Sequence, residues 1–132
     1  MKFGYSIIYV EDVMKTVAFY NKAFGFKTKM ITPEQDYAEL HSGETTIAFA
    51  NLNLANSNLT KGFQKIAKHT PPVGLELAFI TSDIENDLQV ALDNGAKLLE
   101  PITQKPWGQK VAYIQDINGV MLTYIKTKKA TI

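Results

Sequence analysis

The chain has 132 residues, 45% of them hydrophobic and 20% charged, with a net charge of +1. That is enough apolar chain for one core, and no field that would draw DNA, RNA or an anionic membrane to it. All 14 basic residues are lysine, so the planar, two-pronged recognition of phosphate or carboxylate that arginine performs is excluded, and the lack of cysteine excludes disulfides, thiolate nucleophiles and Cys-containing metal sites.

In chain order, the apolar run from Phe3 to Val10 predicts a strand covered on both faces, since Tyr5, Ile7, Tyr9 and the alternate set Ser6, Ile8, Val10 are both largely apolar. Glu11-Asp12 ends it too soon for a signal segment or a membrane span, so a cytoplasmic address is expected. Asp12 reads as the N-cap of a helix over Val13–Phe24, with Val13, Val17, Tyr20 and Phe24 on one stripe and Phe19 alongside, and Gly25 as its left-handed stop. Three short strands are predicted next, at Lys27–Ile31, Tyr37–His41 and Thr45–Ala50, divided by Thr32-Pro33 and His41-Ser42-Gly43. Residues 51–73 form a connector: an asparagine-rich loop, then Thr60–His69 as a short helix with Phe63 and Ile66 on one side. It is either a plain surface link or a flap over a ligand site.

The pattern then repeats. Leu75–Thr81 is a second strand, Asp83 a second N-cap, and 84–94 a second helix closed by Gly95. Strands follow at Lys97–Glu100, Lys110–Gln115 and Val120–Ile125, with turns at Pro101, Pro106-Trp107-Gly108 and Asp116-Ile117-Asn118-Gly119. Corresponding features lie about 70 positions apart, a period that marks a duplicated supersecondary module rather than a solenoid. The expected architecture is α+β: a single domain over 1–132, made of two tandem βαβββ modules (about 3–50 and 74–127, joined by 51–73) that form a cupped mixed sheet.

Tyr9-Val10-Glu11-Asp12-Val13, Phe19-Tyr20-Asn21-Lys22-Ala23-Phe24-Gly25-Phe26, Pro106-Trp107-Gly108-Gln109 and Asp116-Ile117-Asn118-Gly119, set in two such modules, resemble the vicinal oxygen chelate superfamily. That group holds glyoxalase I, extradiol dioxygenases, fosfomycin-resistance enzymes and bleomycin-binding proteins. The resemblance implies a homodimer, and a ligand cavity walled by the sheet. It also implies four metal-ligand positions, at the start of the first strand and in the last strand of each module, which fall here on Tyr5, Ala48, Glu76 and Thr123. Only Glu76 is a good ligand, so the usual metal site is expected to be absent and no cofactor is predicted.

Little else carries chemistry. There is no phosphate loop, no His-Glu-x-x-His and no Gly-x-Ser-x-Gly, and the two histidines, His41 and His69, miss the inherited positions. A nucleophile–base relay has little material, so the chain reads as a binding protein rather than an enzyme. Aromatic surface is plentiful. Tyr5, Tyr9, Trp107 and Tyr113, with Glu76 and with Glu39 on the Tyr37/Glu39/His41 strand face, form the expected ligand site, suited to a cationic or planar aromatic small molecule. The expected function is small-molecule binding of the bleomycin-resistance type. With the Glu39 strand face lining the cavity, Glu39 and Glu76 either approach one another or supply a replacement metal pair. The alternative function is a divalent-metal enzyme of the same superfamily, a glyoxalase-like lyase or isomerase or a dioxygenase, whose ligands lie in another register or are shared between chains.

Overall fold

The computed structural model describes residues 1–68 and 71–126. His69 lies outside them. The element order is β1 (Tyr5–Val10), α1 (Val13–Phe24), β2 (Lys27–Ile31), β3 (Tyr37–His41), β4 (Thr46–Asn51), α2 (Leu52–Asn58), β5 (Glu76–Ile80), α3 (Ile84–Asp93), β6 (Lys97–Gln104), β7 (Lys110–Gln115) and β8 (Met121–Lys126). Both βαβββ modules are present, in two compact units, Met1–Ile66 and Ala67–Ile132. The strands are divided between two four-stranded mixed sheets, ordered β1-β4-β3-β2 and β5-β8-β7-β6, rather than running through one sheet of eight. In each, the first strand lies at the edge, parallel to the last.

In the first unit the helix boundaries follow directly from the caps. Asp12 accepts a hydrogen bond from the Lys15 amide at 2.9 Å, and Gly25 ends α1 at φ 71°. The helix buries Val13, Val17, Tyr20 and Ala23, and Thr16 joins this face because its hydroxyl donates back to the Asp12 carbonyl at 2.8 Å. Tyr20 meets Phe49 of β4 edge-on with ring centroids 4.8 Å apart. Ile8, Val10, Ala38, Leu40, Ile47 and Phe49, one parity of the strands, complete this core. The other parity faces away from the helix, and it holds the candidate site.

The second unit repeats this. Asp83 accepts from the Asn86 amide at 3.3 Å, and Ile84, Leu88 and Ala91 of α3 are buried. The Tyr124 hydroxyl of β8 donates to the Asp87 carbonyl on α3 at 3.1 Å, which fixes the helix against the parity that carries Ala112, Ile114 and Leu122. The Asn118-Gly119 turn joins β7 to β8 as expected, with the Asp116 carboxylate accepting from the Asn118 and Val120 amides at 2.8 and 2.9 Å.

The connector departs from expectation. Its helix lies at Leu52–Asn58, in the stretch read as a polar loop, because Asn51 caps it by accepting from the Leu54 amide at 2.8 Å and Ala55 is buried beneath it. Residues 60–68, read as part of a helix, are irregular. Gly62 takes a left-handed φ of 72° there, which interrupts any helical run. Two strands also shift by one residue, β4 and β8, and β6 continues past Pro101 to Gln104. Proline is compatible with that position because β6 is an edge strand.

Candidate functional site

The strand registers lay out the open face of the first sheet as a grid. Tyr5 pairs with Thr46 and so with His41; Ile7 pairs with Ala48 and so with Glu39; Tyr9 pairs with Ala50 and so with Tyr37. A floor of small β4 side chains therefore runs between an aromatic row on β1 and a polar row on β3. Tyr5 is 53% exposed and Tyr9 is half-buried, because Phe63 of the connector meets its ring edge-on at 4.7 Å. The exposed Lys65–Glu11 pair, at 3.2 Å, lies beside that contact in sequence. The connector thus covers Tyr9 and leaves Tyr5 accessible.

Glu39 stands in the middle of this face with its side chain only 15% exposed. The Tyr37 hydroxyl donates to its carboxylate at 2.8 Å, and the Lys29 ammonium lies 3.9 Å away. Burial, the bond to Glu39 and the charge of Glu39, with a smaller push from the Tyr5 phenol, hold the Tyr37 hydroxyl well above the usual phenol range. Tyr37 is therefore a fixed donor at any physiological pH. Lys29 reaches Glu39 from within a β-bulge. The β2–β3 register slips between Thr28, opposite Leu40, and Met30, opposite Glu39, so Lys29 is the extra residue. Counted on from Thr28, alternation already puts Lys29 opposite Glu39, and the bulge brings Met30 to the same place beside it. His41, by contrast, ends β3 as an exposed residue.

The second sheet carries an equivalent slip, between Leu98, opposite Ile114, and Glu100, opposite Tyr113. Here the extra residue is Leu99, and Tyr113 takes the place that Glu39 has in the first sheet. Pro72, Leu99, Glu100, Tyr113 and Met121 line an open concavity of about 330 Å³. One strand further, Thr123 opposes Tyr113 in register, and its hydroxyl donates to the Glu76 carboxylate. Trp107 is 66% exposed in the β6–β7 turn, where its indole donates to the Gln109 amide oxygen at 2.6 Å; it does not line this concavity.

Of the residues singled out from sequence, Tyr5, Tyr9 and Glu39 therefore share the open face of the first sheet, while Glu76 and Tyr113 share that of the second. Lys29, Tyr37, Leu99, Glu100 and Met121 complete these surroundings and were not singled out as site residues. The clue to Tyr37 was present, since it shares period-two parity with Glu39; nothing in the sequence marks the bulges. As for a metal, Ala48 offers no donor atom and the Thr123 hydroxyl is engaged with Glu76. Among the described residues no group of three or more His, Asp or Glu side chains is close enough to hold an ion. The residues at the inherited positions do not fit one. Nor, among them, is any helix long and apolar enough to cross a membrane.

Solved structures with the same fold include a glyoxalase/bleomycin resistance protein/dioxygenase family enzyme from Burkholderia phytofirmans PsJN, at 20% identity and a TM-score of 0.81, covering 95% of this chain and 98% of that one. A glyoxalase-related enzyme from Fulvimarina pelagi matches at 14% identity and a TM-score of 0.79, over 96% of this chain and 88% of its own. TioX from Micromonospora sp. ML1 matches at 16% and 0.71, over 96% and 98%. At these identities the likeness speaks for the fold alone. No curated protein matches the sequence. The family model for the glyoxalase/bleomycin resistance protein/dioxygenase superfamily matches residues 2–124, and with both βαβββ modules in place the chain belongs to that superfamily.

Proposed function

We propose that this chain is a cytoplasmic, homodimeric protein that binds a small organic ligand on its open sheet faces without the catalytic metal of its enzymatic relatives, after the manner of the bleomycin-resistance type. The chemistry of the four inherited positions carries the reading. Ala48 cannot ligate, and Glu76, the one good ligand, holds the Thr123 hydroxyl instead. The faces themselves supply tyrosine rings, aliphatic side chains and a few carboxylates, which suit an aromatic or cationic guest through stacking and cation–π contact. The homodimer is supported by apolar side chains left exposed on two of the edge strands, Ile7 on β1 and Ile80 on β5. Light scattering should give the mass of two chains.

Metal content and ligand response together test the function. Elemental analysis of protein purified without chelator should find no stoichiometric Zn, Fe, Mn or Ni. About one metal per chain, lost in Glu76→Ala, would replace this reading with that of a metalloenzyme. Trp107 is the only tryptophan, so its fluorescence can be followed without ambiguity as planar aromatic compounds are added. Cationic members of the panel should shift amide resonances of the sheet faces, and a change in Trp107 emission, with a loss of about 1–2 kcal/mol in Trp107→Ala, would place the guest at the β6–β7 turn as well. Glu76→Gln should weaken cationic ligands more than neutral ones of equal size. A panel that moves neither Trp107 emission nor any amide resonance of the two sheet faces would sink the binding function.

A further inference from the structure

The Glu39 carboxylate is an unusual object for the middle of an open sheet face. Its neighbours along the register row are Ile7, Ala48 and Met30, none of which can hydrogen-bond it. Its side chain is 85% covered, yet among the described residues its polar partners are two: the Tyr37 hydroxyl at 2.8 Å and the Lys29 ammonium at 3.9 Å. Tyr37 uses one of the two oxygens. The Lys29 ammonium, on the other oxygen, stands at the outer limit of an ion pair and its own side chain is 43% exposed.

An ammonium so placed is weakly held. An ion pair of this length and exposure contributes well under a tenfold factor to any equilibrium. It is also the extra residue of a bulge, on an edge strand, and a long flexible side chain can swing from there into solvent without disturbing the ladder. The surroundings are those of an ammonium site: a fixed carboxylate, the Tyr37 phenol bonded to it, the Tyr5 phenol near enough to act on Tyr37, and a floor of alanine.

We infer that Glu39, Tyr37 and Tyr5 form a subsite for the ammonium group of an aromatic amine, and that Lys29 occupies it in the empty protein as a tethered competitor. This rests on the ligand-binding reading above and specifies the ligand's class. Lys29 keeps the covered carboxylate neutralised when no ligand is present, and leaves when a ligand ammonium arrives with better contacts. It also sets a threshold, because a guest without a positive charge gains nothing from displacing it.

The test uses phenethylammonium and its uncharged counterpart 2-phenylethanol, titrated into the full chain and followed by NMR at Tyr5, Tyr37 and Ala48. The ammonium should bind at least about tenfold more tightly than the alcohol, as expected for a charge-assisted contact to a covered carboxylate. Lys29→Met should raise affinity for the ammonium about threefold to fivefold and leave the alcohol unchanged. Glu39→Gln, which keeps the shape of the side chain, should abolish the preference. Should Lys29→Met lose affinity for the amine or leave it unaltered, Lys29 is no competitor. Should the amine keep its advantage in Glu39→Gln, the subsite is elsewhere. In both cases binding of the alcohol at the same resonances would leave the ligand-binding function standing. Absence of any shift with both compounds would remove the subsite, and would count against the binding function as well.

Discussion

Gly119→Ala should damage this protein far more than Gly43→Ala, although both glycines have nearly the same backbone. Their φ angles are 99° and 98°. An alanine in that region costs about 1–2 kcal/mol, from the clash of Cβ with the backbone, and both variants bear this charge. They differ in what lies beyond. A Cβ on Gly43 meets nothing within 4 Å, whereas one on Gly119 would fall 2.0 Å from the Ala67 carbonyl oxygen and 2.4 Å from its carbon. Backbone cannot rotate aside as a side chain does, so either the end of the connector is expelled or the β7–β8 turn deforms. Deforming the turn puts at risk the two amide bonds to the Asp116 carboxylate and the Gly119 carbonyl's bond from Gln115 at 3.2 Å, each worth about 1–1.5 kcal/mol. With two of these three bonds lost, the expected total is about 3–5 kcal/mol for Gly119→Ala against about 1–2 kcal/mol for Gly43→Ala. Urea unfolding monitored by circular dichroism reads the difference, as does a drop in Tm of about 4 °C per kcal/mol for a chain of this size. Equal losses in the two variants would refute the close approach of the connector to the turn.

Three further outcomes follow from other contacts. The Tyr37 and Tyr124 hydroxyls are both raised above the ordinary phenol range, chiefly by burial, with Glu39 and Asp87 adding to the effect. A raised phenol binds its proton more tightly when folded, so its contribution is complete below about pH 10, the unfolded value, and is lost as pH climbs beyond it. Alkaline unfolding should therefore begin above about pH 10, with Tyr37 and Tyr124 among the tyrosines that titrate late at 295 nm, and the late step should shrink in Tyr37→Phe. Phe63→Ala removes the ring that covers Tyr9 at 4.7 Å and should cost about 1 kcal/mol while speeding proteolysis within residues 60–66. Lys65→Ala, by contrast, breaks an exposed pair and should change stability by no more than about 0.5 kcal/mol.

Much of the architecture was legible because its signals are local. Asp12, Gly25, Asp83 and Asn118-Gly119 each act on backbone within a few residues, and the elements they bound sit within a residue or so of the positions read from sequence. The connector was misread for the complementary reason. Its asparagines are poor helix formers, and that outweighed Asn51, whose capping oxygen starts a helix that Ala55 then anchors by burial. Thr60–His69 has an amphipathic pattern, but Gly62 adopts a left-handed conformation there, and Phe63 finds its apolar partner in Tyr9 rather than along a helix.

The site was legible only where strand parity holds. Parity puts Tyr5, Tyr9, Tyr37 and Glu39 on one face, and it does so correctly because β1, β3 and β4 pair without a slip. Parity fails in β2 and β6, where the slips add Met30 beside Lys29 opposite Glu39, and Glu100 beside Leu99 opposite Tyr113. Both slips occur at the same place in their module, opposite the centre of the third strand. A bulge has no composition signal of its own: Thr28-Lys29-Met30 and Leu98-Leu99-Glu100 are ordinary strand residues. What fixes it is the pairing partner, because Leu40 and Ile114 must stay in their helix-facing cores while Glu39 and Tyr113 keep the open faces. The module thus keeps a fixed means of presenting two neighbouring β2 or β6 side chains to one point on the sheet. Its two copies differ there in what is presented, a lysine and a methionine to a carboxylate in one, a leucine and a glutamate to a tyrosine in the other. A duplicated framework with unlike residues at the same two bulges can change ligand chemistry without altering a single strand boundary.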